Sequence, residues 1–262
     1  MSGQRPALLL ALGLFTTLPA PAADLDRAAA ARAMRAMPWV GLLVGAVAGA
    51  VAAAASALGG GSLLAAASGV AVLALLTGGM HLDGLADTAD GLASRRPAET
   101  ALAIMKRSDV GPMGVAALVL VLLSDAAALG SPSLAGRGPL ALPAALAVGA
   151  MTGRLLALAG TTPDVPPAHT GGFAGLVAGV TPARVVTISG LAVAGVALGC
   201  GWLTAGATGL VAFGLGVAVA CVVGWTWRRH LVRRLGGLTG DCWGSLVELG
   251  QLACWLVIAL AL

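Results

Sequence analysis

The chain has 262 residues, of which 58% are hydrophobic and only 10% are charged, and its formal net charge is +4. A soluble domain averages about 25% charged residues, so this composition excludes a soluble globular protein, whose surface needs more polar side chains. A lipid-facing surface removes that need. The length leaves room for about seven or eight spans of roughly 20 residues each, and we interpret residues 1–262 as one integral membrane domain.

The first apolar stretch, residues 7–18, is too short to cross a bilayer comfortably. We predict a short interfacial or re-entrant helix there. The small residues at 19–23 resemble a signal-peptide cleavage site, but many apolar segments follow, and a multispanning protein needs no cleaved signal.

Seven long apolar runs follow, and none shows the alternation that is typical of a strand. They predict an all-α, polytopic helical transmembrane fold. The three glycines at 59–61 make the first two runs a hairpin, and 201–206 joins the fifth and sixth runs with almost no loop. The runs cover 39–58, 62–80, 113–130, 139–160, 185–203, 206–226 and 245–262.

The basic residues predict how these spans are oriented. They concentrate on one side of the predicted membrane, and only Arg137 falls in a loop on the other side. The positive-inside rule assigns the basic side to the cytoplasm. The acidic residues lie on or near the same side, except Asp125 in the outer half of the third span, where a buried acid is paired or protonated. The basic segments are 1–38, 81–112, 161–184 and 227–244.

The densest polar segment is HLDGLADTADG at 81–91, directly after the second apolar run. Asp83, Asp87 and Asp90 are spaced i, i+4, i+7 and therefore share one helical face. Stacked carboxylates repel one another unless a cation lies between them, and oxygen ligands favour a hard ion such as Mg²⁺. We predict a magnesium site here, and the alternative is a solvated acidic face. His81 lies off this face. Its possible roles are a part in catalysis, a cap of the helix, or a hydrogen bond to a carbonyl group of another helix.

Cationic side chains at two further places predict phosphate binding. Lys106, Arg107 and Ser108 precede the third span, where cations and a hydroxyl group can hold phosphate oxygens; the alternative is juxtamembrane anchoring. Arg154 lies within the fourth apolar run. Charge inside a membrane is costly and usually functional, so we predict that Arg154 also binds phosphate. The alternative is that its aliphatic chain extends toward the membrane surface and brings the guanidinium group to the interface.

The last polar segment leads into the final span. Asp241 and Glu248 are seven residues apart, hence on one helical face, and we predict that they complete the metal site from a facing helix. Glycines before Asp241 allow a backbone to approach a ligand closely. We interpret the four arginines at 228–234 as topology signals. The chain has no Walker loop, which argues against nucleotide hydrolysis, and it contains no GxSxG or HExxH motif.

Several ordered blocks resemble the cobalamin synthase family, also called adenosylcobinamide-GDP ribazoletransferase. TGGMHLDGLADTADGL at 77–92 is similar to the family's signature. In the block at 104–120, Arg107 replaces a usual Asp and Asp109 a usual Arg, so charge is exchanged rather than lost, and Pro112-Met113 replaces a Thr-Tyr pair. Similar blocks also occur at 14–21, 153–158 and 235–252, so that the resemblance covers nearly the whole chain.

The resemblance implies a magnesium-dependent transferase of the bacterial inner membrane with its active site facing the cytoplasm. Its expected substrates are adenosylcobinamide-GDP and α-ribazole or its 5′-phosphate; GMP leaves, and adenosylcobalamin or its phosphate forms. The candidate catalytic residues are then Asp90, which would take the proton of the attacking hydroxyl group, Lys106 and His81. No nucleic acid is expected as a partner, and a homo-oligomer stays open.

Two other classes of protein stay open at this point. A transporter or channel would also use membrane carboxylates, but it predicts acids near the bilayer midplane and an internal repeat. A structural membrane subunit would leave the acidic face unexplained. The acidic segment DGLADTAD at 83–90 also resembles the DGxxAR…D…D motif of CDP-alcohol phosphotransferases, although Asp87 replaces the arginine of that motif.

Overall fold

The structure is a computed structural model that describes residues 6–20 and 25–262. The remaining positions, 1–5 and 21–24, belong to the segment predicted to be cytoplasmic and lie outside the described residues. The described part is helical without a strand, as predicted. Its helices are α1 (Ala7–Phe15), α2 (Arg27–Ala57), α3 (Gly61–Leu76), α4 (Met80–Ala93), α5 (Ala98–Met105), α6 (Pro112–Leu129), α7 (Pro132–Ala135), α8 (Ala141–Ala159), α9 (Gly172–Val177), α10 (Ala183–Leu235) and α11 (Gly240–Ala261).

The helices that can cross a bilayer agree with a multi-pass membrane protein. Five helical segments of the described chain are long and apolar enough to span it, and α3 with α4 makes a sixth as a pair. The longest, α10, is a helical hairpin, because Ala205 and Gly206 leave helical geometry. A Cβ atom on Gly201 would overlap the Gly209 carbonyl group, so the two arms run back along each other. Counting both arms separately is consistent with about seven spans.

A glycine-lined contact between α2 and α8 lies at the centre of the bundle. Cβ atoms on Gly45 and Gly49 would come within 2.6 Å of Ala147 Cα and 2.7 Å of Pro143 Cα. Small residues at intervals of four let two membrane helices approach this closely, which favours association where lipid removes the hydrophobic drive. Helix α8 also packs against α10 and α11, so that these three neighbours together bury most of it.

The second predicted span ends earlier than expected. Gly78 and Gly79 both have positive φ, 59° and 73°, which glycine adopts without strain, and the chain turns by 89° between α3 and α4. α3 carries the apolar part of this pair. We therefore interpret α3 as the spanning part of this bent pair and α4 as a helix along the membrane surface. The N-terminal helix α1 is present as predicted, with Leu10, Ala11 and Phe15 buried; its interfacial placement stays a prediction.

Candidate functional site

Helix α4 crosses the start of α11 at two glycines. A Cβ atom on Gly84 would lie 2.7 Å from the Asp241 carbonyl oxygen, and one on Gly244 would lie 2.9 Å from the His81 carbonyl oxygen. Any larger residue would push the two backbones apart. The crossing joins the two polar segments that sequence analysis singled out, although they are far apart along the chain.

Three carboxylates gather at this crossing. Asp83 and Asp87 come from α4, and Asp241 comes from the first turn of α11. The pKa of Asp87 is raised from 3.8 to about 6, mainly by its partial burial and then, in decreasing order, by the negative charges of Asp83, Asp241 and Asp90. We call Asp83, Asp87 and Asp241 the carboxylate cluster. Its mutual repulsion is the electrostatic signature of a site that a cation would stabilise.

The carboxylate cluster fits an open magnesium site better than a closed metal cage. Within residues 6–20 and 25–262, no three His, Cys, Asp or Glu side chains converge closely enough to hold an ion by themselves. Magnesium usually takes one or two protein carboxylates and completes its octahedral shell with water and substrate phosphate. An arrangement of adjacent but unconverged carboxylates suits that mode of binding.

Asp90 is on the same helix as Asp83 and Asp87, but its carboxylate contacts the N-terminus of another helix. Its carboxylate accepts backbone N–H groups of Gly111 at 2.7 Å and Gly114 at 2.8 Å, at the N-terminus of α6. A negative charge is stabilised there by the free N–H groups and by the helix dipole. The geometry assigns Asp90 to joining α4 with α6, whereas its predicted roles as metal ligand and base stay predictions.

Arg154 and Glu248 lie in a buried polar network beneath the carboxylate cluster. Arg154 donates to the Gln251 side-chain oxygen, and its other terminal nitrogen lies 3.4 Å from His81 Nδ1. Gln251 in turn donates to Glu248 at 3.1 Å. Seven residues of helix correspond to about 10 Å, so Glu248 lies deeper in the membrane than Asp241. The structure therefore does not place Glu248 or Arg154 in the carboxylate cluster, and their roles as metal and phosphate ligands stay predictions.

His81 connects this network to the surface site. An arginine can only donate hydrogen bonds, so His81 Nδ1 is the acceptor and Nε2 carries the proton. The imidazole is buried, and it also lines a cavity shared with Asp83 and Asp241. Asp125 lies beside Arg154 and Glu248 around a separate void of about 10 Å³, which has room for about one water molecule.

The predicted phosphate-binding cations lie at the exposed side of the site. Lys106 ends α5 and lies close enough to Asp241 for their charges to interact. Arg107 makes a two-pronged ion pair with Asp109, at 2.6 and 2.8 Å, and both line a polar cleft of about 270 Å³ that also contains Asp87. Ser108 is exposed between them. The charge exchange noted in the sequence therefore keeps an ion pair in place.

One residue near the site was missed by sequence analysis. His169 interacts electrostatically with Asp241. Its loop reaches the site because the Ala168 N–H group donates to the Leu238 carbonyl oxygen at 3.0 Å. The loop is irregular, and no periodic pattern could have indicated this approach.

Comparisons with known proteins agree on one family. A model of the family described as cobalamin-5-phosphate synthase matches residues 7–259. An adenosylcobinamide-GDP ribazoletransferase of Frankia casuarinae is 39% identical over 264 residues, covering 96% of this chain and 94% of that protein. A protein with the same name from Klebsiella pneumoniae is 40% identical and covers 95% of this chain and 97% of its own length. Another from Bradyrhizobium diazoefficiens is 39% identical and covers 96% of this chain and 92% of its own length. No solved structure matches. The matches confirm the resemblance that the sequence blocks indicated.

Proposed function

The chain belongs to the cobalamin-5-phosphate synthase family, and on that premise we propose that it joins adenosylcobinamide-GDP to α-ribazole or its 5′-phosphate. The reaction would release GMP, form adenosylcobalamin or its phosphate, and depend on magnesium. The observation that carries this proposal is the carboxylate cluster at the crossing of α4 and α11, with a polar cleft on one side and an apolar cavity on the other.

The bonds exchanged define what the site must do. A hydroxyl oxygen of the ribazole attacks the phosphorus atom on the corrinoid side of the pyrophosphate. The bond from that phosphorus to the bridging oxygen breaks, GMP leaves with the electron pair, and the hydroxyl proton passes to a base. No covalent intermediate with the enzyme is needed, and positioning and charge stabilisation supply most of the catalysis in such transfers.

The carboxylate cluster would hold the metal against the donor. Asp83 and Asp241 lie close enough to Asp87 for their charges to act on it, which supports these three as the proposed ligands. When bound, magnesium neutralises charge on the pyrophosphate and on the departing phosphate. Without it, these carboxylates would repel the anionic donor.

The proton acceptor also comes from this cluster in our proposal. Both carboxylate oxygens of Asp90 accept backbone N–H groups at the N-terminus of α6, so this carboxylate is already engaged in joining two helices. Asp83 is exposed and free to face a substrate. We therefore move the role of base from Asp90 to a carboxylate of the cluster.

The cations at the cytoplasmic edge would hold the donor's phosphates. Lys106 is close enough to Asp241 for their charges to attract each other, and Arg107 lines the polar cleft together with Asp87. Ammonium and guanidinium groups bind phosphate oxygens through charge-assisted hydrogen bonds. The proposed active site then lies on the basic side of the protein, and by the positive-inside rule we propose that this side faces the cytoplasm at the bacterial inner membrane.

The test is turnover by protein purified in detergent. We expect GMP release only when both substrates and Mg²⁺ are present, and loss of release in EDTA. Asp83→Asn should abolish turnover while the protein still folds. Asp164→Asn is the matched control, because Asp164 is an exposed acid in the loop after α8 and pairs with Arg228 at 3.5 Å. Equal GMP release by Asp83→Asn and Asp164→Asn would refute the assignment of the carboxylate cluster.

A further inference from the structure

An apolar cavity of about 330 Å³ opens beside the carboxylate cluster. Its apolar walls come from α1, α2, α8, α9 and α11, and its polar lining consists of His81, Asp83 and Asp241. Pockets that enclose small organic ligands measure about 300–1,000 Å³ and combine mostly apolar walls with a few placed polar groups. Both the volume and the lining therefore fit a small, largely apolar ligand that ends at the carboxylates.

Three aromatic side chains, two phenylalanines and one of the six tryptophans, line this cavity. The protein has only three phenylalanines and no tyrosine, yet Phe15 and Phe173 both line this cavity together with Trp243. The three rings form an edge-to-face series with centroid separations of 6.0 and 6.1 Å. Such rings present both faces and edges to a flat ring, which is a favourable setting for aromatic contact.

Two methionines and the ring of Trp243 complete the lining. Met34 and Met37 are buried on α2 and offer polarisable sulfur that adapts to aromatic shapes. Trp243 is 5% exposed, and its indole N–H group, which packs beside Gly160, has no hydrogen-bond partner among the described residues. Because this N–H group is enclosed against Gly160, Trp243 contributes its apolar ring to the lining and no hydrogen-bond donor.

We propose that this cavity binds the base of the ribazole acceptor and thereby places the acceptor's ribose at the carboxylate cluster. The inference rests on the proposed function and assigns a subsite within it. The base of ribazole is a methylated benzimidazole, a flat ring system with few hydrogen-bonding groups. The walls from α1, α2 and α9 offer hydrophobic and aromatic contact to such a ring, and Asp83 and Asp241 face the polar sugar end.

The other parts of the substrates suit this cavity less well. Guanine carries several hydrogen-bonding groups, and burying them against apolar walls without partners is costly. A corrin macrocycle with its amide side chains is far larger than 330 Å³. The donor therefore belongs on the polar side, in the cleft lined by Asp87, Arg107 and Asp109, and the carboxylate cluster lies between the two substrates.

Filling the cavity tests the proposal. Ala157 is 1% exposed and lines the cavity from α8, so Ala157→Leu adds bulk where the base would lie. We expect the KM for α-ribazole to rise about tenfold, equivalent to about 1.4 kcal/mol, while the KM for adenosylcobinamide-GDP stays within twofold. Ala53→Leu is the matched control, because Ala53 lines a separate cavity of about 240 Å³ formed with 129–143; it should change neither KM.

A series of bases separates a filled subsite from a distorted protein. The α-riboside of unsubstituted benzimidazole is smaller, so it should lose less than α-ribazole in Ala157→Leu and partly rescue turnover. A general structural defect would affect both ribosides equally. As a readout independent of turnover, α-ribazole alone should raise the Tm of the parent protein and not that of Ala157→Leu. Should Ala157→Leu fail to fold, Phe173→Leu, on a half-buried side chain, should raise the acceptor KM in the same way.

The outcomes distinguish this inference from the proposed function. Absence of GMP release by the parent protein with both substrates and Mg²⁺ would refute the function itself. An active parent whose Ala157→Leu variant keeps its KM for both ribosides would overturn the cavity assignment alone. A rise in the donor KM instead would assign the cavity to guanine and overturn it too. Retention of a phospholipid that α-ribazole does not displace, observed by native mass spectrometry, would likewise overturn it in favour of a lipid site.

Discussion

Asp90 holds the start of α6 against α4, because one of its carboxylate oxygens accepts the Gly111 N–H group at 2.7 Å and the other accepts that of Gly114 at 2.8 Å. Both glycines leave room for the carboxylate, since a Cβ atom on either would lie 2.5 Å from one of its oxygens. This contact places the segment that contains Lys106 and Arg107 next to the carboxylate cluster. Asp90 thus acts on the site through the position of its neighbours.

Asp90→Ala should therefore destabilise the protein. Hydrogen bonds to a charged group contribute about 1.5–3 kcal/mol each, and α6 would lose its capping anion. We expect a clearly lower Tm in detergent, together with reduced turnover. Asp109→Ala is the control for Tm, because its ion pair with Arg107 is exposed to solvent and such pairs contribute little to stability. If Asp90→Ala kept the parental Tm and lost only turnover, Asp90 would be a direct participant in the chemistry.

The pKa of Asp87 predicts a pH-dependent stability. Because this pKa is raised from 3.8 to about 6, ionised Asp87 opposes folding above about pH 6, and the penalty vanishes below about pH 4, where the carboxyl group is protonated in both states. Without metal, Asp87→Asn should therefore have a higher Tm than the parent at about pH 7.5 and an equal Tm at about pH 4. Thermal scans in EDTA would measure this. Added Mg²⁺ should reduce the difference in Tm between the two proteins at neutral pH, because it stabilises only the parent.

Asp164 supplies a control of opposite sign. A hydrogen bond from Thr162 and, more weakly, the charge of Arg228 lower the pKa of Asp164. Its ionised form therefore favours folding at neutral pH, and that contribution is lost as the pH falls through the lowered pKa. Asp164→Asn should have a slightly lower Tm than the parent at about pH 7.5. A Tm gain of similar size in both variants would show that the effect at Asp87 is not electrostatic repulsion.

Lys106 and Arg154 should respond differently to removal. Lys106 is exposed beside the carboxylate cluster, so Lys106→Ala should raise the KM for adenosylcobinamide-GDP about tenfold or more with little change in Tm. Arg154→Ala would leave Gln251 and Glu248 buried without their cationic partner, and breaking such a network typically costs several kcal/mol. We expect its main effect to be a lower Tm. An Arg154→Ala protein with the parental Tm and a raised donor KM would instead support a direct phosphate contact.

Much of the fold could be predicted because each span satisfies its backbone hydrogen bonds within itself in lipid. Long apolar runs therefore predict helices from local sequence alone, and 113–130 and 139–160 correspond closely to α6 and α8. The second run, 62–80, was extended too far. Apolar composition continues through Thr77 to Met80, but two glycines with positive φ end the helix at Leu76.

The candidate site was less predictable because helical periodicity describes one helix at a time. It placed Asp83, Asp87 and Asp90 on one face correctly, but it could not show that Asp90 meets the N-terminus of another helix. It likewise grouped Asp241 with Glu248 by their spacing. The crossing with α4 lies at Asp241 and Gly244, near the start of α11, and Glu248 follows one turn later in the buried layer below.

The orientation in the membrane can be tested by labelling from either side. In a protein whose four cysteines are replaced, single cysteines at Arg96 and Arg233 should react with an impermeant reagent from the cytoplasmic side only, because both positions are exposed on the basic face. A cysteine at Leu140, which is 61% exposed at the opposite end, should react only from outside. Labelling of positions 96 and 233 from opposite sides would contradict a single site built from both segments.

Gly84 tests whether the crossing of α4 and α11 is what forms the site. The Cβ atom of Gly84→Ala would lie 2.7 Å from the Asp241 carbonyl oxygen and 2.9 Å from Asp241 Cα, and backbone atoms cannot move aside as a flexible side chain can. The helices must separate, which typically costs about 1–3 kcal/mol in a packed contact and moves Asp241 away from Asp83. We expect weaker Mg²⁺ activation, measured as a higher Mg²⁺ concentration for half-maximal GMP release, together with a modest fall in Tm.

Gly195→Ala is the matched control, because a Cβ atom at that helical position meets no other atom within 4 Å; it should leave both quantities unchanged. A Gly84→Ala protein with the parental Mg²⁺ requirement would show that the spacing of these two helices does not define the metal site.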